Sequence, residues 1–400
     1  MKYSLTLAEK HDERLRALVF PSNGREGAAL LLCGVAEVAD DLWDGVSHRK
    51  LLSHEVVPIA AEDIVSSSST HIRCKTHSIA RALKRAAEDD LTVAFVHSHP
   101  AGIPDFSSED DEQEPFLVEL AQNRNGRTTD LISIVMTENS VHGRVWQSPN
   151  HSVPLEMVRV MGDRFRLTYP GRITGMTAEA FHRQALAFGN ALNTDLGALR
   201  FGIVGAGATG SATGMFLARL GARQIASIDD DIVDESNLSR MHGATMADVH
   251  QKTPKVQILK RSIEGFGLGA NVVAVQAHAG AASCRDILKS CDVIFGCTDD
   301  NDGRLLLNRL AYFYLIPVID MGIGIDPTDD DPPRILEAAG RTTALHPGSR
   351  CLVCRRVVDL DRAEEEATAR SNPALFAERQ KRGYVRGESQ TPLSSHLRPM

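Results

Sequence analysis

Two groups of residues in this 400-residue sequence have the types and spacing to do chemistry. The first is His97-Ser98-His99-Pro100 followed by Asp110. Two imidazoles and a carboxylate are the donor types of a catalytic zinc site, where three protein ligands leave a fourth position open to water. An isolated His-x-His is more often a surface pair, so its setting matters. The second group is a glycine loop, Gly205-Ala-Gly207-Ala-Thr-Gly210, with Asp229 downstream. The glycines remove side chains that would block a phosphate, and the helix start that follows offers N–H groups and a partial positive charge. Asp229 falls where such folds hydrogen-bond a ribose, a spacing that suits a nicotinamide enzyme as well as an ATP enzyme. Arg240, Lys255, Asp299 and Arg304 follow. They supply three cations and a carboxylate for one nucleotide, a set that hydride transfer does not need because no pyrophosphate leaves.

The elements that must carry these residues read as α/β throughout. In a first domain, residues 1–150, apolar runs of strand length at 28–34, 91–96, 131–136 and 141–146 suggest a sheet. Pro100 cannot continue a central strand, so both histidines sit at a strand end opening a loop. Residues 151–176 read as a connector, with a linker at 169–175, and a second domain covers 177–400. There, strands at 201–204, 225–229, 272–276, 291–297 and 316–324 alternate with helix-length segments, the first helix lying at 178–192. That alternation implies a Rossmann-like, doubly wound parallel sheet with helices on both faces and Asp299 at the ligand-binding edge. The acidic run 326–333, broken by prolines, reads as a solvated turn. Residues 360–382 look helical, and 383–400 form a polar tail.

Composition narrows the class. With 42% apolar and 24% charged residues the chain has the make-up of a globular protein, and its net charge of −8 offers no general attraction to nucleic acid or anionic lipid. No apolar run is long enough to cross a membrane, and the first residues are too charged for a signal peptide, so a cytoplasmic location is expected. Seven cysteines, scattered except for Cys351-Leu-Val-Cys354, do not make a disulfide framework.

The first domain places Glu26 just before a Leu-Leu-Leu-Cys-Gly strand, then His97-Ser-His99-Pro100, then Ser107 and Asp110. This resembles the JAB/MPN (JAMM) metalloproteases, which cut peptide or isopeptide bonds after the C-terminus of ubiquitin-like proteins. The resemblance implies Zn2+ on His97, His99 and Asp110, with Glu26 as general base and Ser107 bonded to the water or the developing oxyanion. Glu37 and Glu55 are rival bases, disfavoured because they lie beyond that strand.

From about residue 177 to 355 the glycine loop, Ser236-Asn237-Leu-Ser-Arg240, Lys255 and Cys297-Thr-Asp299 together resemble the ubiquitin-activating and ThiF/MoeB-type adenylating enzymes. That resemblance implies ATP and Mg2+. Gly205, Gly207, Gly210, Asp229, Asp231 and Asn237 would line the nucleotide, Arg240 and Lys255 would meet its phosphates, Asp299 would hold Mg2+, and Arg304 would support the site. Arg183, in an Arg-Gln pair of the leading helix, would reach ATP in the partner subunit of a homodimer. Cys351 and Cys354 match half of a structural four-cysteine zinc site. Jointly, the two resemblances imply a bifunctional enzyme that trims a β-grasp, ubiquitin-like protein and adenylates its C-terminal carboxylate. No cysteine follows Cys354 and the C-terminal part looks shortened, so either a separate carrier enzyme supplies the thiol that accepts the adenylate, or the adenylating half is weakened and the peptidase half carries the function. Two other readings stay open on the residues alone: an NAD(P)-dependent oxidoreductase, and a non-catalytic adaptor that grips a ubiquitin-like partner.

Overall fold

The structure, a computed structural model, describes residues 1–169, 178–328 and 334–381 and divides into two units, Met1–Ile173 and Thr174–Met400. The first unit runs β1 (Lys2–Ala8), α1 (Glu9–Val19), β2 (Ala28–Val38), β3 (His48–Pro58), β4 (Ile64–Ser67), β5 (Ile72–Cys74), α2 (Thr76–Glu88), β6 (Thr92–Ser98), α3 (Ser108–Asn125), β7 (Leu131–Met136), β8 (Val141–Ser148), β9 (His151–Pro154), β10 (Met157–Met161) and β11 (Arg166–Thr168). Nine of these strands make one mixed sheet in the order β11-β10-β1-β3-β2-β6-β7-β8-β9. The unbroken apolar run of β2 reflects burial on both faces. Ala29, Leu31 and Cys33 pack with Leu15 and Val19 of α1, whereas Leu30 and Leu32 pack with Ile79 and Leu83 of α2 and Val118 of α3. Burying one such leucine is worth about 1.5–3 kcal/mol, so these contacts anchor the strand that carries Glu26 at its mouth.

The expected connector is corrected at its start. Residues 151–168 carry β9, β10 and β11, and β10 pairs in parallel with β1 from Ser4↔Met157 to Ala8↔Met161. Met157–Met161 is a short strand, buried from Val158 onwards, with Arg159 in its middle, which hid it from a search for apolar runs. The linker at 170–175 lies outside the described residues.

The second unit contains α4 (His182–Phe188), α5 (Asn190–Ala198), β12 (Arg200–Val204), α6 (Ala208–Leu220), β13 (Gln224–Ile228), α7 (Met246–Gln251), α8 (Lys255–Glu264), β14 (Asn271–Val275), α9 (Arg285–Ser290), β15 (Val293–Gly296), α10 (Asn301–Phe313), β16 (Val318–Pro327), β17 (Ile335–Leu345), α11 (Leu360–Ser371) and α12 (Pro373–Lys381). The sheet order is β14-β13-β12-β15-β16-β17, parallel throughout except for the antiparallel edge strand β17. Strand order reverses between β12 and β15, the place where ligands bind beyond the carboxyl ends of the strands. The helix expected over 178–192 is interrupted at Gly189, whose φ of 85° ends α4 and starts α5. The acidic run expected as a turn lies mostly outside the described residues, as does the polar tail. Among the described residues no helix is long and apolar enough to cross a membrane.

Candidate active sites

In the first unit, β6 ends at the sheet edge with His97 opposite Ala28 of β2, so Glu26, two residues ahead of Ala28, emerges beside the imidazoles. Asp110 arrives from the first turn of α3. His97 Nε2 lies 3.2 Å from His99 Nε2 and 3.2 Å from Asp110 Oδ1, and His99 Nε2 lies 3.5 Å from Asp110 Oδ2. Ligand atoms at zinc bond lengths on two corners of a tetrahedron would stand about 3.3 Å apart, so the donor set fits zinc without rearrangement. His99 Nδ1 bonds the Ile103 carbonyl at 2.9 Å, which fixes the tautomer that turns Nε2 towards the other donors. Burial pushes the Asp110 carboxyl up, yet hydrogen bonds from His97, His99 and Ser107 hold it well below the usual carboxylate range. Burial raises the Glu26 carboxyl, with the nearby histidines offsetting part of that rise. A buried carboxyl of raised pKa beside a metal site has the character of a general base.

The rival carboxylates are committed elsewhere. Glu37 bonds Arg49 Nε at 2.9 Å, and Glu55 is bidentate with Arg85 at 2.8 and 2.6 Å. Ser107, expected to face water or an oxyanion, instead accepts from Asp110 N at 3.2 Å while its backbone N donates to Asp110 Oδ2 at 2.7 Å, the reciprocal capping box of α3, and its hydroxyl also donates to that Oδ2 at 2.7 Å. Its position orients a ligand.

Sequence reasoning missed Ser98. Fully buried between the two histidines, it donates to the Val19 carbonyl and accepts from Gly27 N at 3.1 Å. Gly27 itself leaves no room for a side chain: a Cβ there would stand 2.7 Å from the Leu18 and Val19 carbonyls. Together they hold the end of α1, the approach to β2 and the end of β6 in one place, which sets Glu26 against His97. The only sequence signal was a small polar residue in an otherwise apolar strand.

In the second unit the glycine loop follows β12. Gly205 has φ of 93°, and a Cβ on it would lie 2.7 Å from the Cys297 carbonyl; one on Gly210 would lie 1.8 Å from the Gly205 oxygen. Gly207 caps α6 without a side-chain hydrogen bond and with open space around it, leaving the first-turn N–H groups to an anion. Asp229, at the end of β13, accepts from Ala206 N at 2.6 Å and Asp231 N at 2.8 Å, tying the loop to the acidic strand end. Lys255 Nζ lies 2.6 Å from Asp231 Oδ2. His242 N donates to Ser211 Oγ at 3.0 Å, which brings the segment holding Arg240 against the first turns of α6.

Several expected ligands are occupied differently. Asn237 closes a one-turn helix with Asp234 through reciprocal 3.2 Å bonds, and Arg240 donates to the Ser236 carbonyl at 2.9 Å. Arg304 lies 3.4 Å from the fully buried Asp320, which also pairs with Arg341 at 2.5 Å. Asp320, opposite Gly296 in the β15–β16 pairing, is a second residue that sequence reasoning missed; it read as part of an apolar strand. Asp299 is exposed after β15, next to Asp300, which caps α10 by accepting from Gly303 N. Arg183 is exposed on α4 and makes no hydrogen bond or ion pair among the described residues.

A histidine–aspartate cluster on one α/β sheet and a glycine loop at the switch point of another stand in two separate domains. The chain joins a JAB-type domain, matched at residues 8–148 by the model for prokaryotic homologs of the JAB domain, to a ThiF-family domain matched at residues 181–376. It is similar to the SAMP-activating enzyme E1 of Haloferax volcanii, 27% identical over 152 residues, 38% of this chain and 51% of that protein. A second relative is the probable adenylyltransferase/sulfurtransferase MoeZ of Mycobacterium tuberculosis, 34% identical over 27% of each chain. The matches thus span about half or less of these curated relatives. Among solved structures, E. coli MccB with ATP matches 50% of this chain and 59% of that one at 20% identity with a TM-score of 0.37.

Proposed function

We propose that this chain processes and activates a ubiquitin-like protein, cutting after its C-terminal glycine and then adenylating the carboxylate so released. The observation that carries this reading is the presence, in one chain, of a three-donor metal site flanked by a buried carboxyl and of a glycine-loop cleft rimmed by cations. Both could act on one carbonyl. The adenylyltransferase relatives support the second activity, and the JAB match supports the first.

His97, His99 and Asp110 would hold zinc, which supplies a water of pKa lowered towards about 7. Glu26 takes the proton of that water and passes it to the departing amine. Ser107 and Ile103 keep the Asp110 and His99 donors aimed.

In the second domain the freed carboxylate attacks the α-phosphate of ATP; a new C(O)O–P bond forms and pyrophosphate leaves. Gly205, Gly207 and Gly210 let the backbone approach the phosphates, and Asp229 holds the loop while presenting an oxygen to the ribose. Arg240 and Lys255 neutralise charge on the leaving pyrophosphate, for which Lys255 exchanges Asp231 for the nucleotide. Asp299 would hold Mg2+, which supplies further neutralisation. Arg304 stays on Asp320 as support, and a second copy of the chain would bring Arg183 to the nucleotide.

The test is ATP–pyrophosphate exchange with a candidate ubiquitin-like protein offered in two forms, mature and extended past the glycine. Exchange with the mature form by both wild type and His97→Ala, and with the extended form by wild type only, is expected. Exchange with neither form, or equal use of the extended form by His97→Ala, overturns the reading.

A further inference from the structure

The four-cysteine zinc site implied by resemblance does not fit this chain. All seven cysteines are described, and no metal-capable cluster among the described residues includes one. Cys284 and Cys291 are buried, and burial pushes the Cys297 thiol up to about 12, leaving Cys351 and Cys354 without a second pair.

What surrounds that pair is a hydrogen-bonded turn. Arg355 N donates to the Cys351 carbonyl at 2.9 Å and Val357 N to the Leu352 carbonyl at 2.9 Å, so residues 351–357 form a closed turn with Cys351 at its start. Cys354 N points at Cys351 Sγ from 3.3 Å. The Asn308 side chain of α10 accepts from Leu352 N at 2.9 Å and fixes the turn against that helix. Arg350 donates to the Cys354 carbonyl at 3.2 Å, and Arg355 Nε to the Arg350 carbonyl at 2.8 Å, so cationic side chains flank the turn. A backbone N–H aimed at the sulfur and nearby cations are what stabilise a thiolate, here on Cys351. Cys354 is exposed and Cys351 half-buried behind it, an arrangement open to a small reagent.

We propose that Cys351 and Cys354 form a reactive dithiol that exchanges with low-molecular-weight disulfides and closes to an intramolecular disulfide. The Cys351 thiolate, steadied by Cys354 N, attacks one sulfur of the reagent RSSR; its S–S bond breaks, a mixed disulfide forms on Cys351, and RS⁻ leaves to take a proton. The exposed Cys354 thiol then gives up its proton, attacks Cys351 Sγ and expels the second RS⁻, which leaves as RSH. The dithiol is oxidised by two electrons and RSSR is reduced to two RSH.

The full chain, reduced and then equilibrated with oxidised and reduced glutathione at several ratios, is quenched in acid, denatured, alkylated and mapped by mass spectrometry. Loss of two of the seven alkylatable thiols, both in the 351–354 peptide and both restored by dithiothreitol, is expected. Cys354→Ser should stop at one glutathione on Cys351, and Cys351→Ser should lose the response. Seven free thiols in the most oxidising buffer would overturn the proposal. So would a fall in bound zinc in Cys351→Ser relative to wild type, whether by one ion per chain or by half an ion, since either would make the pair a metal ligand set.

Discussion

The two sites differ in how much of the work is finished before any ligand arrives. In the first unit three donors already converge at 3.2–3.5 Å, held by a capping box, a tautomer-fixing carbonyl and a buried serine. In the second, the cations proposed for the phosphates are paired with the protein's own oxygens: Lys255 with Asp231 and Arg240 with the Ser236 carbonyl. A small cation needs its ligands fixed in advance, because a misplaced donor forfeits a whole bond. A large anion brings enough charge of its own to displace a partly exposed ion pair, which is worth little in water. The first site should therefore respond to substitution abruptly and the second by degrees.

The largest expected effect is at Glu26. A glutamine keeps the shape and the metal but cannot accept a proton, and loss of a general base is worth about 10²–10⁴ in rate. Glu26→Gln should retain zinc by elemental analysis and lose cleavage of an extended ubiquitin-like substrate. Because burial raises this carboxyl, cleavage by wild type should fall with acid at a pH above that of an ordinary glutamate, and the fall should be absent from the residual rate of the variant. A variant that still cleaves would transfer the base to another group.

Next in size is Lys255. If it meets charge that grows only in the transition state, Lys255→Ala should lower pyrophosphate exchange about 10²–10³-fold, or about 2.7–4 kcal/mol. Asp231→Asn sharpens the point: it releases Lys255 from its partner, so ATP affinity should hold or improve. Unchanged exchange in Lys255→Ala would reduce that lysine to a surface ion pair.

How much of this could be read from the residues follows the same division. That His97, His99 and Asp110 would converge was legible because they lie close in sequence around one strand end, and Glu26 because it leads into the strand beside them. The glycine loop was legible because steric demand at Gly205 and Gly210 excludes every other residue. Less legible were Asp320 and Ser98, whose partners come from other elements far along the chain and leave no local pattern. Strands β9 to β11 were missed for a related reason: they are short, β10 and β11 carry Arg159 and Arg166 in place of apolar runs, and pairing of β9 with β8, β10 with β1 and β11 with β10 reveals them.

Ser98→Ala tests whether the readiness of the first site depends on the missed serine. It removes the hydroxyl that bridges Gly27 N and the Val19 carbonyl, which stay bonded to each other at 3.0 Å, so the loss is that of ordinary buried hydrogen bonds, about 0.5–1.5 kcal/mol each. Denaturant unfolding measures that part. If the serine also positions Glu26, cleavage at a fixed folded fraction should fall with zinc content unchanged; a stability loss alone would leave Ser98 a packing residue.

The smallest effects compare one device used in both units. Ser107-x-x-Asp110 at α3 and Thr245-x-x-Asp248 at α7 are both capping boxes with aspartate as the third helical residue. The Asp110 carboxylate faces histidines, whereas Asp248 faces Arg261 at 2.7 and 2.9 Å. Ser107→Ala should therefore weaken zinc binding about 10–100-fold, as loss of a ligand's supporting bond does. Thr245→Ala should cost about 1 kcal/mol of stability with exchange unchanged. The hydrogen bond from Arg261, opposed by burial, keeps the Asp248 carboxyl well below its unfolded value of about 3.9. A depressed carboxylate stabilises the fold above the unfolded pKa and loses that contribution as pH falls through the folded one. Urea unfolding of wild type and Asp248→Asn should then differ most near neutral pH and converge as acid protonates the wild-type carboxylate. A gap that stays constant into acid would mean that Asp248 acts through its shape in the cap and not through its charge on Arg261.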